Sequence, residues 1–139
     1  MIYALDSNIV SYMLKDNDTV YSRYVAALKR GCPCVVPLIV YYEVLRGLKA
    51  NNATKQIQLF EELCNDMDIK DLAIPDALKA TDIYAYRKPR GLPVGDADVL
   101  IAAQCVVNGY TLVTNNTKHF ENIDGLQIEN WGEEPSGTG

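Results

Sequence analysis

Carboxylates set at the margins of apolar runs are the groups in this chain best placed to do chemistry. In GDADVLIAA, residues 95 to 103, Asp98 stands one turn ahead of Ile101 and Ala102, on the stripe a helix would turn toward its core. An ionised carboxylate desolvated there without a partner is strongly unfavourable. With Asp96 as the helix N-cap, Asp98 falls in the first turn, where free N–H groups and the helix dipole favour negative charge by roughly 0.3 to 1 kcal/mol. Capping is enough to explain Asp96. It does not offset an inward carboxylate at Asp98, whereas a bound divalent cation does.

Two further carboxylates have the same double character. Asp6 closes the apolar run IYALD ahead of SN, where it can cap the next helix or hold a cation. Glu43 interrupts LIVYYEVLRG, and an i,i+3 pair with Arg46 would contribute only about 0.2 to 0.5 kcal/mol. Asn115 and Asn116 in VTNNTKHF are turn formers or amide ligands. Mg²⁺ takes oxygen ligands octahedrally and keeps several waters, so carboxylate and amide oxygens converging on one rim would hold it.

The elements needed to gather these residues are legible in the hydrophobic pattern. IYALD predicts a strand, and SNIVSYML a helix through Ile9, Val10, Met13 and Leu14. Residues 17 to 30 predict a second helix, CVVP (34 to 37) a buried strand, and LIVYYEVLRGLKA a third helix. Residues 53 to 67 follow as an amphipathic helix through Ile57, Phe60, Leu63 and Cys64, with a short extended piece at Ile69. IPDALKATDIYAYRKPRG predicts a helix opened by Pro75 and Asp76 and left at Pro89 and Gly91. The helix from Asp96, the strand YTLVT (110 to 114), a short helix near Lys118 and the strand LQIEN complete the order. Strands alternating with helices argue for an α/β fold, a parallel sheet with helices on both faces. Ligands in such sheets sit beyond the carboxyl ends of the strands, which would bring Asp6 and Thr114 to Asn116 to one rim.

Composition narrows the possibilities. The 139 residues fit one domain, with 48% hydrophobic and 22% charged residues. No apolar run is long enough for a bilayer span, and MIYALDSNIV lacks the basic start of a signal peptide, so a cytoplasmic protein with no membrane partner is expected. Cys32, Cys34, Cys64 and Cys105 are unevenly spaced and His119 is the only histidine, which predicts neither disulfides nor a zinc site. A net charge of −5 would repel nucleic acid at a distance, so any such partner must meet local basic patches or bound cations.

The set LDSNIV, YYEVLRG, GDADVLIAA and LVTNNTKHF, finished by GLQIENW, closely resembles the PIN-domain nucleases, and most of all the VapC-type toxins of toxin–antitoxin pairs. The resemblance runs in order from residue 2 to Trp131. It implies a three-layer α/β/α sandwich with a central, mostly parallel sheet of four to five strands. It also implies a single domain over residues 1–131, leaving 132–139 as a flexible polar tail. Carried over residue by residue, it makes Asp6, Glu43 and Asp98 the acidic core for Mg²⁺ or Mn²⁺, with Asn116 where many PIN domains carry a fourth carboxylate. Asp96, Ser7, Asn8 and Thr114 become supporting residues that orient water or ligands.

The activity so implied is metal-assisted hydrolysis of phosphodiester bonds in a structured RNA such as tRNA or rRNA. The implied partners are a VapB-like antitoxin and a second copy of the chain, with DNA reached only through the antitoxin. Arg46, Lys49, Arg87, Lys88, Arg90 and Lys118 are the candidate contacts to RNA or antitoxin, although any one of them would ordinarily be part of a solvated face. Two other functions remain compatible with the residues: a PIN nuclease of RNA maturation or decay, and a non-catalytic α/β module whose carboxylates are caps.

Overall fold

The centre of the fold is β1 (Tyr3–Leu5), three residues buried at every position. The computed structural model describes residues 1–132, so the tail expected from residue 132 lies, beyond Gly132, outside the described residues. After β1 come α1 (Ser7–Leu14), α2 (Asp18–Lys29), β2 (Cys34–Pro37), α3 (Leu38–Ala50), α4 (Thr54–Asn65) and β3 (Asp68–Lys70). The second half holds α5 (Ile74–Arg87) with a 3₁₀ turn over Lys88–Arg90, α6 (Asp96–Asn108), β4 (Thr111–Val113), α7 (Thr117–Phe120) and β5 (Gln127–Glu129). Every element predicted from the pattern is present.

The strands form one sheet in the order β3-β2-β1-β4-β5, each neighbouring pair parallel. The chain builds outward from β1 to β3, then returns to lay β4 on the other side of β1. With the right-handed crossovers that parallel sheets almost always use, the two directions of travel put α1 to α4 on one face and α5 to α7 on the other, the expected three layers. The strand order therefore switches between β1 and β4, and their carboxyl ends open the crevice where such sheets bind ligands. Helices α3 and α6 meet across that edge.

Packing follows the predicted stripes. Ile9, Val10, Met13 and Leu14 bury one side of α1, and Ile101 to Cys105 are buried along α6. Trp131 is enclosed, edge-on to Tyr3 at 5.1 Å between ring centroids, and thereby fastens the end of the domain to β1. All four cysteines are free, and burial pushes the Cys34 and Cys105 thiols up to about 12, which makes them inert packing groups. Among the described residues no helix is long and apolar enough to cross a membrane.

Arg87 corrects an expectation. It is not an RNA- or antitoxin-contacting surface residue: it is 2% exposed, and its guanidinium donates to the carbonyls of Pro93 at 2.7 Å, Glu121 at 2.9 Å and His119 at 3.3 Å. The charge is enclosed because those three carbonyls replace its water. One side chain thus joins the end of α5 to the loop before α6 and to the end of α7.

Candidate active site

Asp6 follows β1 directly and caps α1, with Oδ1 accepting from the Ser7 N–H at 2.8 Å. Its Oδ2 accepts from the Thr114 hydroxyl at 2.7 Å and from Asn8 Nδ2 at 3.2 Å. The cap and the candidate ligand are one and the same group. Only 3% of Asp6 is exposed, and burial raises its carboxyl pKa above the ordinary value, opposed by hydrogen bonds from Thr114 and Ser7 and reinforced by the charge of Asp98.

Thr114 and Asn8 tie this carboxylate to the end of β4. The Thr114 hydroxyl oxygen also accepts from the Asn116 N–H at 3.0 Å, and Asn8 Oδ1 accepts from the Asn115 N–H at 2.8 Å. Asn8 and Thr114 thus orient the Asp6 carboxylate.

Glu43, on α3, is half-buried. Burial raises its pKa, the charges of Asp6 and Asp98 raise it further, and Arg46 and the Ser7 side chain pull it back. Arg46 lies over the ring of Tyr42, 5.0 Å from its centroid, so it acts on Glu43 by charge from a stacked position. Glu43 thus feels the carboxylates of Asp6 and Asp98, and Asp6 feels that of Asp98.

Helix α6 begins one residue earlier than a cap at Asp96 would require. Gly95 is the N-cap and Asp96 is the exposed first helical residue. Asp98 stands at the rim above the buried Ile101, Ala102 and Cys105, its side chain 31% exposed rather than enclosed. Its Oδ2 lies 3.0 Å from Nδ1 of His119 on α7. From the sequence alone, His119 bears only on the absence of a zinc site. Its place in VTNNTKHF, next to the Phe120 that buries the short helix, was the available signal.

Asn116 is exposed and, with Ser7, Asn8, Glu43, Arg46 and Lys15, lines an open groove of about 460 Å³. Lys15 had not been anticipated. Lys49, Lys88, Arg90 and Lys118 are all exposed, and Arg90 stacks on Tyr86 at 3.7 Å.

Among the described residues no three His, Cys, Asp or Glu side chains form a ready-made metal cage. The donors at the rim are oxygens of mutually repelling carboxylates, which fits a hard dication held by one or two carboxylates, waters and substrate phosphate better than it fits a soft metal.

Most of the chain matches proteins of the same outline. The PIN domain profile matches residues 3–126. "Ribonuclease VapC2" of Haemophilus influenzae is 30% identical over 130 residues, covering 93% of this chain and 97% of that protein. The chain belongs to the VapC family of PIN domains. Another VapC protein, the "tRNA(fMet)-specific endonuclease VapC" of Shigella flexneri, is 28% identical over 93% of this chain and 97% of its own. In three dimensions the chain superposes on the VapBC2 structure of Rickettsia felis bound to a DNA fragment from its promoter, with a TM-score of 0.87 and 27% identity, covering 94% of this chain and 99% of that one. The VapC fold accounts for the five-stranded parallel sheet and for the rim between β1 and β4.

Proposed function

We propose that this chain is the endoribonuclease toxin of a VapBC-type pair, hydrolysing phosphodiester bonds with a divalent cation, Mg²⁺ or Mn²⁺, held by Asp6, Glu43 and Asp98. The observation that supports the metal-dependent chemistry is that the charges of Asp6 and Asp98 both raise the pKa of Glu43, and that of Asp98 raises the pKa of Asp6, so carboxylates from three distant segments act on one another at the rim. A cation relieves that repulsion and, when bound, supplies Lewis acidity and neutralises charge at the scissile phosphate.

The residues of the chain do the remaining work. Ser7, Asn8 and Thr114 hold Asp6 in one orientation, so the site is set before substrate arrives. Glu43, with its raised pKa, is the group suited to take a proton from the attacking water. Lys15, Arg46 and the amide of Asn116 line the groove where the RNA backbone would run. The relative named for tRNA(fMet) supports tRNA as the substrate class.

The antitoxin has a seat on the opposite side of α1. Met13, Leu14 and Leu63 floor a groove of about 380 Å³ edged by Asp16, Asp18 and Asp66. An amphipathic segment with an apolar face and basic flanks matches it in shape and charge. The chain acts in the cytoplasm as a homodimer, and reaches DNA only through its antitoxin.

The deciding experiment is to sequence RNA ends after expressing the wild type beside Asp6→Ala. New ends made by the wild type alone, and suppressed by the co-expressed antitoxin, are expected. Identical ends from both proteins would leave a non-catalytic module.

A further inference from the structure

Asp6 and Asp98 are held in different ways. Three donors from residues 7, 8 and 114 fix Asp6. Asp98, on the first turn of α6 and a third exposed, meets the imidazole of His119. We propose that His119 is a positioning residue for Asp98, gripping one carboxylate oxygen so that the other is presented to the cation; this rests on the metal-dependent reading above.

The His119 ring is delivered by a short helix. α7 is four residues long, too short to be rigid through its own hydrogen bonds. It is fixed from two sides, by Phe120, which is 1% exposed, and by Arg87, whose buried guanidinium holds the carbonyls of His119 and Glu121. The same guanidinium holds Pro93, three residues before α6 begins. His119 and Asp98 are therefore carried by backbones anchored to one side chain, and their 3.0 Å separation is set by the fold rather than by a chance meeting of mobile groups.

The chemistry follows from the acceptor. A carboxylate offers no hydrogen to Nδ1, so Nδ1 carries the proton whether the ring is neutral or charged. That donor stops the carboxylate turning, and a cation meeting Asp98 need not order it. Partners of this kind, one step removed from the ion, typically change metal affinity by about 10–100-fold when removed.

The test is calorimetric titration of the full chain with Mg²⁺ and, separately, Mn²⁺. His119→Ala is expected to weaken both ions about equally, by roughly 10–100-fold. His119→Asn, whose amide can donate in place of Nδ1, is expected to recover most of that loss. The metal-free melting temperature should be unchanged in both variants, because the ring is half exposed. Wild-type affinity in His119→Ala, no recovery in His119→Asn, or a lowered metal-free melting temperature would each overturn the proposal. A loss confined to Mn²⁺ would also overturn it, by making His119 a ligand in its own right. If the wild type binds neither ion, the metal-dependent reading falls and this inference with it, an outcome distinct from any difference among variants.

Discussion

Burial and mutual repulsion raise the pKa values of Asp6 and Glu43 above 3.8 and 4.5, their ordinary values, and the sign of that shift has consequences for stability. A carboxyl that binds its proton more tightly when folded stabilises the protein most below its unfolded pKa, and this contribution is lost as pH rises through the folded one. The metal-free chain is expected to melt at higher temperature as pH falls from neutrality toward the ordinary carboxylate range, measured with chelator present. Saturating Mg²⁺ should reverse the trend, because the ion competes with protons for the same oxygens. Glu43→Gln removes one of the repelling charges and is expected to stabilise the metal-free chain by about 0.5–2 kcal/mol in urea titrations. The same substitution should lower RNA cleavage by about a hundredfold or more, read in single-turnover assays. These residues stood out in the sequence because each is a carboxylate in or beside an apolar run. His119 and Lys15 did not, since an exposed polar residue on a helix is ordinary until its neighbours in space are known.

Arg87 shows where reading along the chain gives way to reading around a helix. Its neighbours Lys88 and Arg90 make RKPR look like a charged helix exit, yet Asp76, Ala80, Ile83 and Arg87 form the buried stripe of α5 at spacings of four, three and four. The periodicity carried the answer and the charge obscured it. Arg87→Ala leaves three enclosed carbonyls without their donor and is expected to cost about 3–5 kcal/mol in denaturant unfolding, a large share of a typical domain's stability. Lys88→Ala and Arg90→Ala, both on the surface, should each change stability by less than about 0.5 kcal/mol. Asp76 is a parallel case, buried because it accepts from the Ala73 N–H at 2.8 Å and from Asn108 Nδ2 at 3.1 Å. The start of α6 was misplaced by a residue for a local reason: Gly95 occupies the cap without a side chain, so Asp96 takes the first helical position instead.

The molecule as a whole carries a net charge of −5, so its surface suits a basic protein better than a bare nucleic acid. Reversing charge at the rim of the α1–α2–α4 groove, with Asp16→Lys and Glu62→Lys together, is expected to weaken antitoxin binding about tenfold at low salt and to flatten its salt dependence, both measurable by surface plasmon resonance. At this scale the alternation of strands and helices was enough to give the layers, because each element has its own period. The strand order β3-β2-β1-β4-β5 was not legible, since which strand lies beside which depends on contacts between distant residues. One such contact, the hydrogen bond from Thr114 to Asp6, spans 108 positions. During synthesis at about 5–20 residues per second, Asp6 is added roughly 5–20 seconds before Thr114 exists to hold it. A chain that stops short of Thr114 lacks the hydroxyl that fixes Asp6, so the geometry of the rim is a late product of translation.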